Sequence, residues 1–226
     1  MILKSFGCSF IFGNELSDDA VNAAYAVPSQ LTYPALLAKK LNIDYQCHAR
    51  PGSGNLRIAE RILTQAAIQP VDQCDQLFFI INWSYIDRFD YVDPNCEKND
   101  VWQSITPSEQ TKPAEAYYRY LHSELRDKLT SLLYIKSVID CLTSKKIKFY
   151  MTYMDHLILD RQWHCPPSVH DLQHTVKPHL NLWAGLNFLE WSRAQGFDIS
   201  DQSHPLDQAH SAAADYLLAK VQQLIE

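Results

Sequence analysis

A serine near the N-terminus and an aspartate–histidine pair near the C-terminus are the residues of this chain best suited to nucleophilic chemistry. Ser9 lies between Gly7 and Gly13, directly after a short β-prone run, and Asp201 precedes His204 by three positions. A histidine that takes the proton of a serine hydroxyl makes that oxygen a nucleophile, and a carboxylate that orients the histidine stabilises its charged form. The spacing allows both C-terminal side chains to point to one side of a turn. We therefore predict that Ser9, His204 and Asp201 act as nucleophile, base and orienting acid.

Each of these residues also has a purely structural interpretation. Ser9 has a side chain that commonly caps the first turn of a helix. Asp201 and His204 would then be a capping aspartate and a surface histidine. Only the ordered combination of several motifs separates the catalytic interpretation from this one.

Two further segments provide candidate donors for the negative charge that a carbonyl oxygen develops when a serine attacks it. Residues 49–55 follow the second predicted strand and contain Gly52, and residues 82–88 follow the third. The backbone N–H groups of Ser9 and Gly52 are suited to this charge, because a glycine lets a carbonyl approach the main chain closely. Ligands of open parallel sheets bind beyond the carboxyl ends of the strands, where all of these segments are expected.

Short apolar runs alternate with helical periodicities along the chain. The run at 76–81 is almost continuously apolar, as is typical of a parallel strand covered on both faces. This alternation predicts an α/β fold in one domain spanning residues 1–226, with a parallel sheet between layers of helices. The predicted strands are 1–6, 44–48, 76–81 and 147–153, and the predicted helices are 33–41, 56–67, 114–144, 180–194 and 212–225.

The segment 86–113 interrupts this alternation. It holds three prolines and no sustained helix or strand period, so it is predicted to be a long loop insertion, with a mobile lid as one alternative. The pair Asp87–Arg88 at its start is either an ion pair that anchors the insertion or a clamp for substrate. Nearby aromatic side chains either stack on a sugar or pack in the core or the lid; they are Trp83, Tyr85, Phe89, Tyr91 and Trp102.

Composition and charge exclude several classes of protein. The 226 residues are 46% hydrophobic, enough for one large core, and carry 20 basic against 26 acidic side chains, a net charge of −6. This is the wrong sign for a protein that binds phosphates, so nucleic acid is not expected as a partner. No apolar run approaches the roughly 20 residues of a transmembrane helix. The N-terminus has no signal-peptide pattern, so a cytoplasmic protein without a membrane partner is predicted, with its six scattered cysteines reduced.

The order of the motifs resembles that of the SGNH (GDSL-type) hydrolases. The family's first block, G-D-S-L with a glycine a few residues later, is matched by Gly7-Cys8-Ser9-Phe10 with Gly13, and its second-block glycine by Gly52. Its last block, D-x-x-H-P, is matched by Asp201, His204 and Pro205. The resemblance implies a flavodoxin-like three-layer α/β/α sandwich with about five parallel strands. It also implies hydrolysis of esters or acetyl groups without a cofactor.

The chain departs from the family's pattern in two blocks. Cys8 replaces the usual aspartate beside the serine, a change expected to affect packing more than chemistry. The third block, usually G-x-N-D, supplies an asparagine side chain to the oxyanion hole, but here Asn82 stands in the glycine's place and Ser84 in the asparagine's. Either Ser84 donates with its hydroxyl, or the turn shifts and Asn82 donates.

The resulting hypothesis is a serine esterase that hydrolyses a small acyl ester, with an acetyl group on a carbohydrate as one candidate substrate. A catalytically silent binding protein on the same fold is the first alternative. A second alternative is a metal-dependent hydrolase that uses His170 and His174, which have the four-residue spacing of a helical metal pair. No other cluster of ligands supports that pair, so no metal site is predicted.

Overall fold

A computed structural model describes residues 1–19, 27–94 and 101–225. Its main sheet consists of five parallel strands. They are β1 (Ile2–Phe6), β2 (Asp44–Cys47), β3 (Leu77–Trp83), β6 (Lys148–Tyr153) and β7 (Leu180–Asn181). The strand order is β2-β1-β3-β6-β7, so β1 and β3 lie next to each other with Phe6 level with Ile81. The predicted three-layer α/β/α architecture with about five parallel strands is confirmed.

Helices cover both faces of this sheet. Two apolar clusters lie between the sheet and its helices, one on each face, because successive residues of a strand point to opposite faces. Phe78 and Ile80 of β3 belong to one cluster, and Phe79 and Ile81 belong to the other. The helices are α1 (Ser9–Phe12), α2 (Tyr33–Leu41), α3 (Asn55–Ala67), α4 (Lys112–Tyr120), α5 (Glu124–Ser144), α6 (Pro167–Val176), α7 (Phe188–Ala194) and α8 (Asp207–Ile225). Helices α2 and α8 pack together on the first face, and α3 and α5 on the second.

The prediction of an irregular loop at 86–113 was wrong in part. This segment contains an antiparallel pair of strands, β4 (Phe89–Val92) and β5 (Trp102–Ile105), and residues 95–100 between them lie outside the described residues. Each strand has only four residues, which is too short for a period to stand out among prolines and aspartates. Phe89 stacks on Tyr117 of α4 with ring centroids 3.9 Å apart, so this aromatic residue packs the insertion against a helix.

Two of the predicted helices are also corrected. The span 114–144 is broken between Tyr120 and Glu124, where the Ser123 side chain caps the start of α5 by accepting from the backbone N–H of Arg126. Leu121, which carried the apolar period through the break, is 69% exposed. The span 180–194 holds β7, a turn and the seven-residue helix α7 in place of one long helix.

No helix within the described residues is long and apolar enough to cross a membrane. Among the described residues, Cys8, Cys47, Cys74, Cys141 and Cys165 are free thiols, and Cys96 lies outside the described residues.

Candidate active site

Ser9 lies at the turn where the chain leaves strand β1, the neighbour of the central strand β3, and enters helix α1. The chain changes direction there within two residues, so Ser9 is the first residue of α1. The helix ends after one turn at Gly13, which has a φ of 89°, a left-handed conformation that glycine adopts without steric cost. The N–H of Gly13 donates to the carbonyl of Ser9 at 2.8 Å. This short helix fixes the serine at the carboxyl edge of the sheet.

His204 reaches Ser9 from the other end of the chain. Its Nε2 lies 2.8 Å from the Ser9 Oγ, a hydrogen bond between residues 195 positions apart in sequence. Both residues are largely buried, Ser9 at 7% and His204 at 9% exposure. The ring of Phe10 packs edge-on against the imidazole with centroids 5.2 Å apart, which limits its rotation. The structure thus brings together two of the three residues that the sequence analysis selected.

The third partner is a different residue from the one predicted. The His204 Nδ1 lies 2.5 Å from Oε2 of Glu15, so the contact expected from Asp201 is made by a glutamate six residues after the serine. Ser200 donates its hydroxyl to the same Glu15 oxygen at 2.6 Å. This bond to Ser200, followed by the bond to His204 and the charge of His204, holds the pKa of the Glu15 carboxyl below its usual value.

Asp201 is turned away because of the conformation of the chain that carries it. Ile199 and Pro205 pair in an antiparallel bridge, and Ser200 donates its N–H to the carbonyl of His204 at 2.9 Å. Asp201 therefore lies in the tip of a small hairpin, where it is exposed. Ser203, at a φ of 65°, completes the turn that directs His204 inward.

The Gly52 segment lies beside the serine turn. Arg50 donates its N–H to the carbonyl of Gly7 at 3.2 Å, and Gly52 is exposed with a φ of 74°. Arg88 donates to the Ser53 carbonyl at 3.2 Å, so this arginine supports the loop.

The residues of the third block are enclosed. Ser84 is fully buried, and its Oγ has no hydrogen-bond partner within the described residues. The Asn82 amide already donates to the Thr152 Oγ1 at 2.8 Å. Asn55, at the start of α3, accepts from the Ser84 N–H at 2.8 Å and donates to the Ser84 carbonyl at 3.3 Å. Of the two candidate side-chain donors, Ser84 is therefore the one without a partner.

The histidine pair considered as a metal site does not form a cluster. The His170 Nδ1 lies 3.8 Å from an Asp171 oxygen, and the side chains of both residues are exposed. In the described ranges no group of three or more histidine, cysteine, aspartate or glutamate side chains is arranged to hold an ion.

Three solved structures with the same fold cover nearly the whole chain. A member of the lipolytic protein G-D-S-L family from Veillonella parvula DSM 2008 has a TM-score of 0.52 at 11% identity, covering 99% of this chain and 100% of its own. The lipase Lip_vut3 from a goat rumen metagenome also has 0.52 at 11%, covering 100% of both chains. The psychrotrophic esterase EstA from Pseudoalteromonas sp. has 0.51 at 10%, over 98% of this chain and 97% of its own.

No family model matches the sequence, and no curated protein matches it significantly. At these identities the structural likeness establishes the fold alone. The resemblance to SGNH (GDSL-type) hydrolases that the motifs predicted is therefore confirmed as a likeness of fold.

Proposed function

We propose that this protein is a serine hydrolase that cleaves ester bonds. The observation that carries the proposal is the 2.8 Å contact between Ser9 Oγ and His204 Nε2 at the carboxyl edge of the sheet. A serine that caps a helix or packs in a core has no need of a histidine at that distance, and a surface histidine would not be 9% exposed. This arrangement favours the catalytic interpretation over the structural one.

The proposed reaction has two halves. In the first, the Ser9 Oγ forms a bond to the acyl carbon while its proton passes to His204 Nε2, and the tetrahedral intermediate then expels the alcohol, which takes that proton. In the second, a water molecule gives a proton to His204 and attacks the acyl-enzyme. The bond between the acyl carbon and the Ser9 Oγ then breaks, His204 returns its proton to that oxygen, and the carboxylic acid leaves.

Backbone donors would stabilise the oxyanion of each intermediate. The N–H of Ser9 belongs to the first turn of α1 and so has no partner within that helix. Gly52 lies in the neighbouring loop with its main chain exposed. The hydroxyl of Ser84 is the candidate third donor, since the amide of Asn82 is held by Thr152. The Ser84 oxygen is closed off from solvent, so it reaches an oxyanion only after a local shift of the turn.

A small acyl ester is the proposed substrate class, and an acetyl group on a carbohydrate is the finer proposal. One solved structure that covers 98% of this chain, with a TM-score of 0.51, is described as a carbohydrate esterase whose active site has both catalytic and non-catalytic binding functions. Another, a carbohydrate esterase family 2 enzyme from Corynascus thermopiles, also has a TM-score of 0.51. These enzymes share the fold and motivate the choice of acetylated sugars as test substrates.

Turnover of a nitrophenyl acetate ester tests the proposal. We expect the purified protein to release nitrophenol, and Ser9→Ala to lower kcat by more than about 10³-fold, because removal of the nucleophile leaves only residual catalysis. Ser137→Ala is a matched control, since that serine is exposed on α5. Equal turnover in the Ser9→Ala variant would exclude Ser9 as the nucleophile.

Ser84 and Asn82 of the third block are buried, which favours one alternative, a binding protein on this fold that does not turn its ligand over.

The third block is tested by substitutions at its two candidate donors. If Ser84 is a working donor, Ser84→Ala lowers kcat by up to about 10² to 10³ and changes KM little. Asn82→Ala then lowers stability more than kcat, because it removes a buried hydrogen bond to the Thr152 Oγ1, which keeps only a longer bond to the Ile81 carbonyl at 3.4 Å. A wild-type protein that binds an acetylated sugar but releases no acetate would support the binding alternative.

A further inference from the structure

The carboxylate at His204 comes from an unexpected part of the chain. Glu15 follows the nucleophile helix α1 by three residues, whereas the sequence pattern points to Asp201 in the hairpin before α8. The Glu15 Oε2 lies 2.5 Å from the His204 Nδ1, the ring nitrogen opposite the one that faces Ser9. A carboxylate at this nitrogen holds the imidazole in the tautomer whose Nε2 accepts the serine proton.

Backbone geometry fixes the position of Glu15. Its own φ is 66°, a left-handed conformation that is uncommon outside glycine, and its N–H donates to a carboxylate oxygen of Asp19 at 2.8 Å. Two residues later, Ser17 donates from its N–H and its hydroxyl to Asp207, the first residue of α8. The segment carrying Glu15 is thereby joined to the end of the segment that carries His204.

Ser200 links the glutamate and the histidine through a second route. Its hydroxyl donates to Glu15 Oε2 at 2.6 Å and accepts from the backbone N–H of His204 at 3.0 Å. One oxygen of Glu15 therefore receives two donors, both from the hairpin. The second donor also keeps the carboxylate ionised, which a partner for an imidazolium must be.

We infer that Glu15 is the residue that orients His204 and stabilises its charged form, and that Asp201 has no part in the reaction. This inference rests on the proposed esterase function. It predicts that the acid of the D-x-x-H block is dispensable here, because the hairpin directs that side chain to solvent and Glu15 occupies its place.

Paired amide variants test the inference on nitrophenyl acetate. Glu15→Gln should lower kcat by about 10³ to 10⁴ with little change in KM, as a neutral amide no longer fixes the tautomer or balances the imidazolium. Asp201→Asn, the matched control, should behave as wild type. A loss of 10²-fold or more in Asp201→Asn, with Glu15→Gln unaffected, would overturn the inference.

Nuclear magnetic resonance keeps this test separate from the test of the esterase function. A proton shared between Nδ1 and a carboxylate resonates far downfield, and we expect it in wild type and in Asp201→Asn but not in Glu15→Gln. If wild type hydrolyses no ester, the esterase proposal fails while this measurement still decides which carboxylate holds His204. A downfield proton that disappears only in Asp201→Asn would contradict the assignment of Glu15.

Discussion

Replacement of Asn55 should lower both the stability of the fold and the activity of the proposed site. It stands at the first position of α3, directly after the Gly52 loop, and its amide reaches across to the turn that follows β3. Its Oδ1 accepts from the Ser84 N–H at 2.8 Å, and its Nδ2 donates to the Ser84 carbonyl at 3.3 Å and to the Ser131 Oγ at 3.1 Å. One side chain therefore joins two of the segments proposed to surround the oxyanion.

The expected cost of Asn55→Ala follows from these three bonds. Asn55 is 3% exposed and Ser84 is fully buried, so the Ser84 N–H is left without a partner and without water, at a cost of about 1 to 3 kcal/mol. The longer bond to the carbonyl and the rotatable Ser131 hydroxyl add about 1 kcal/mol. The sum is about 2 to 4 kcal/mol, which for a chain of this size lowers Tm by roughly 5 to 15 °C.

Urea unfolding and a thermal melt of the Asn55→Ala variant measure this cost. Thr64→Ala is the matched control on the same helix, where the side chain is exposed, and it should change the free energy of unfolding by less than about 0.5 kcal/mol. Since Ser84 shifts when its partner is lost, kcat should also fall while the protein remains folded at 25 °C. A change in unfolding free energy below about 1 kcal/mol would refute the account of these bonds.

Three further predictions concern stability. Burial lowers the pKa of His210 to about 3, so below pH 6.5 the imidazole is protonated in the unfolded chain but stays neutral in the folded one. The free energy of unfolding should therefore fall by about 2 kcal/mol between pH 7 and pH 5, and urea unfolding at both pH values should show a smaller difference in His210→Asn. Lys128→Met should lower the free energy of unfolding by about 2 to 4 kcal/mol, because the buried ammonium donates to two loop carbonyls, and a thermal melt would show it. Gly54→Ala should reduce both Tm and kcat, since its methyl group would lie 2.6 Å from the Asp90 Oδ2, while the Asp90 Oδ1 is fixed by the Gly54 N–H at 2.9 Å. An unchanged thermal melt would contradict this contact.

Much of the architecture was predictable because hydrophobic periodicity reports burial. The continuous apolar run of β3 predicted a strand covered on both faces, and all seven of its residues are buried. Elements that bury little were missed for the same reason. Strand β7 has two half-buried residues, and its short pairing with β6 leaves no period to detect. The break before Glu124 was hidden because the exposed Leu121 happened to continue the helical spacing.

The sequence predicted the site residues whose motifs adjoin a strand or helix that leads to the carboxyl edge of the sheet. Ser9 follows β1, next to the central strand β3, and His204 precedes helix α8, so the fold alone brings them to one edge. Asp201 was selected by its spacing from His204, which cannot reveal that a hairpin turns it outward. Glu15 had one visible signal, an acidic side chain in the segment that follows β1. Its left-handed conformation and its bond to Ser200 are tertiary features that no local pattern encodes.

Covalent labelling of the serine tests the central claim most directly. A fluorophosphonate forms a stable bond to a serine oxygen only when a base removes the proton, so its adduct reports activation without knowledge of the substrate. Incubation with the probe, digestion and mass spectrometry should place one adduct on Ser9 in wild type, and His204→Ala should reduce its rate of formation by at least about 10²-fold. An intact, folded protein that remains unlabelled, or one labelled at another serine, would contradict the proposal that Ser9 and His204 form the active site.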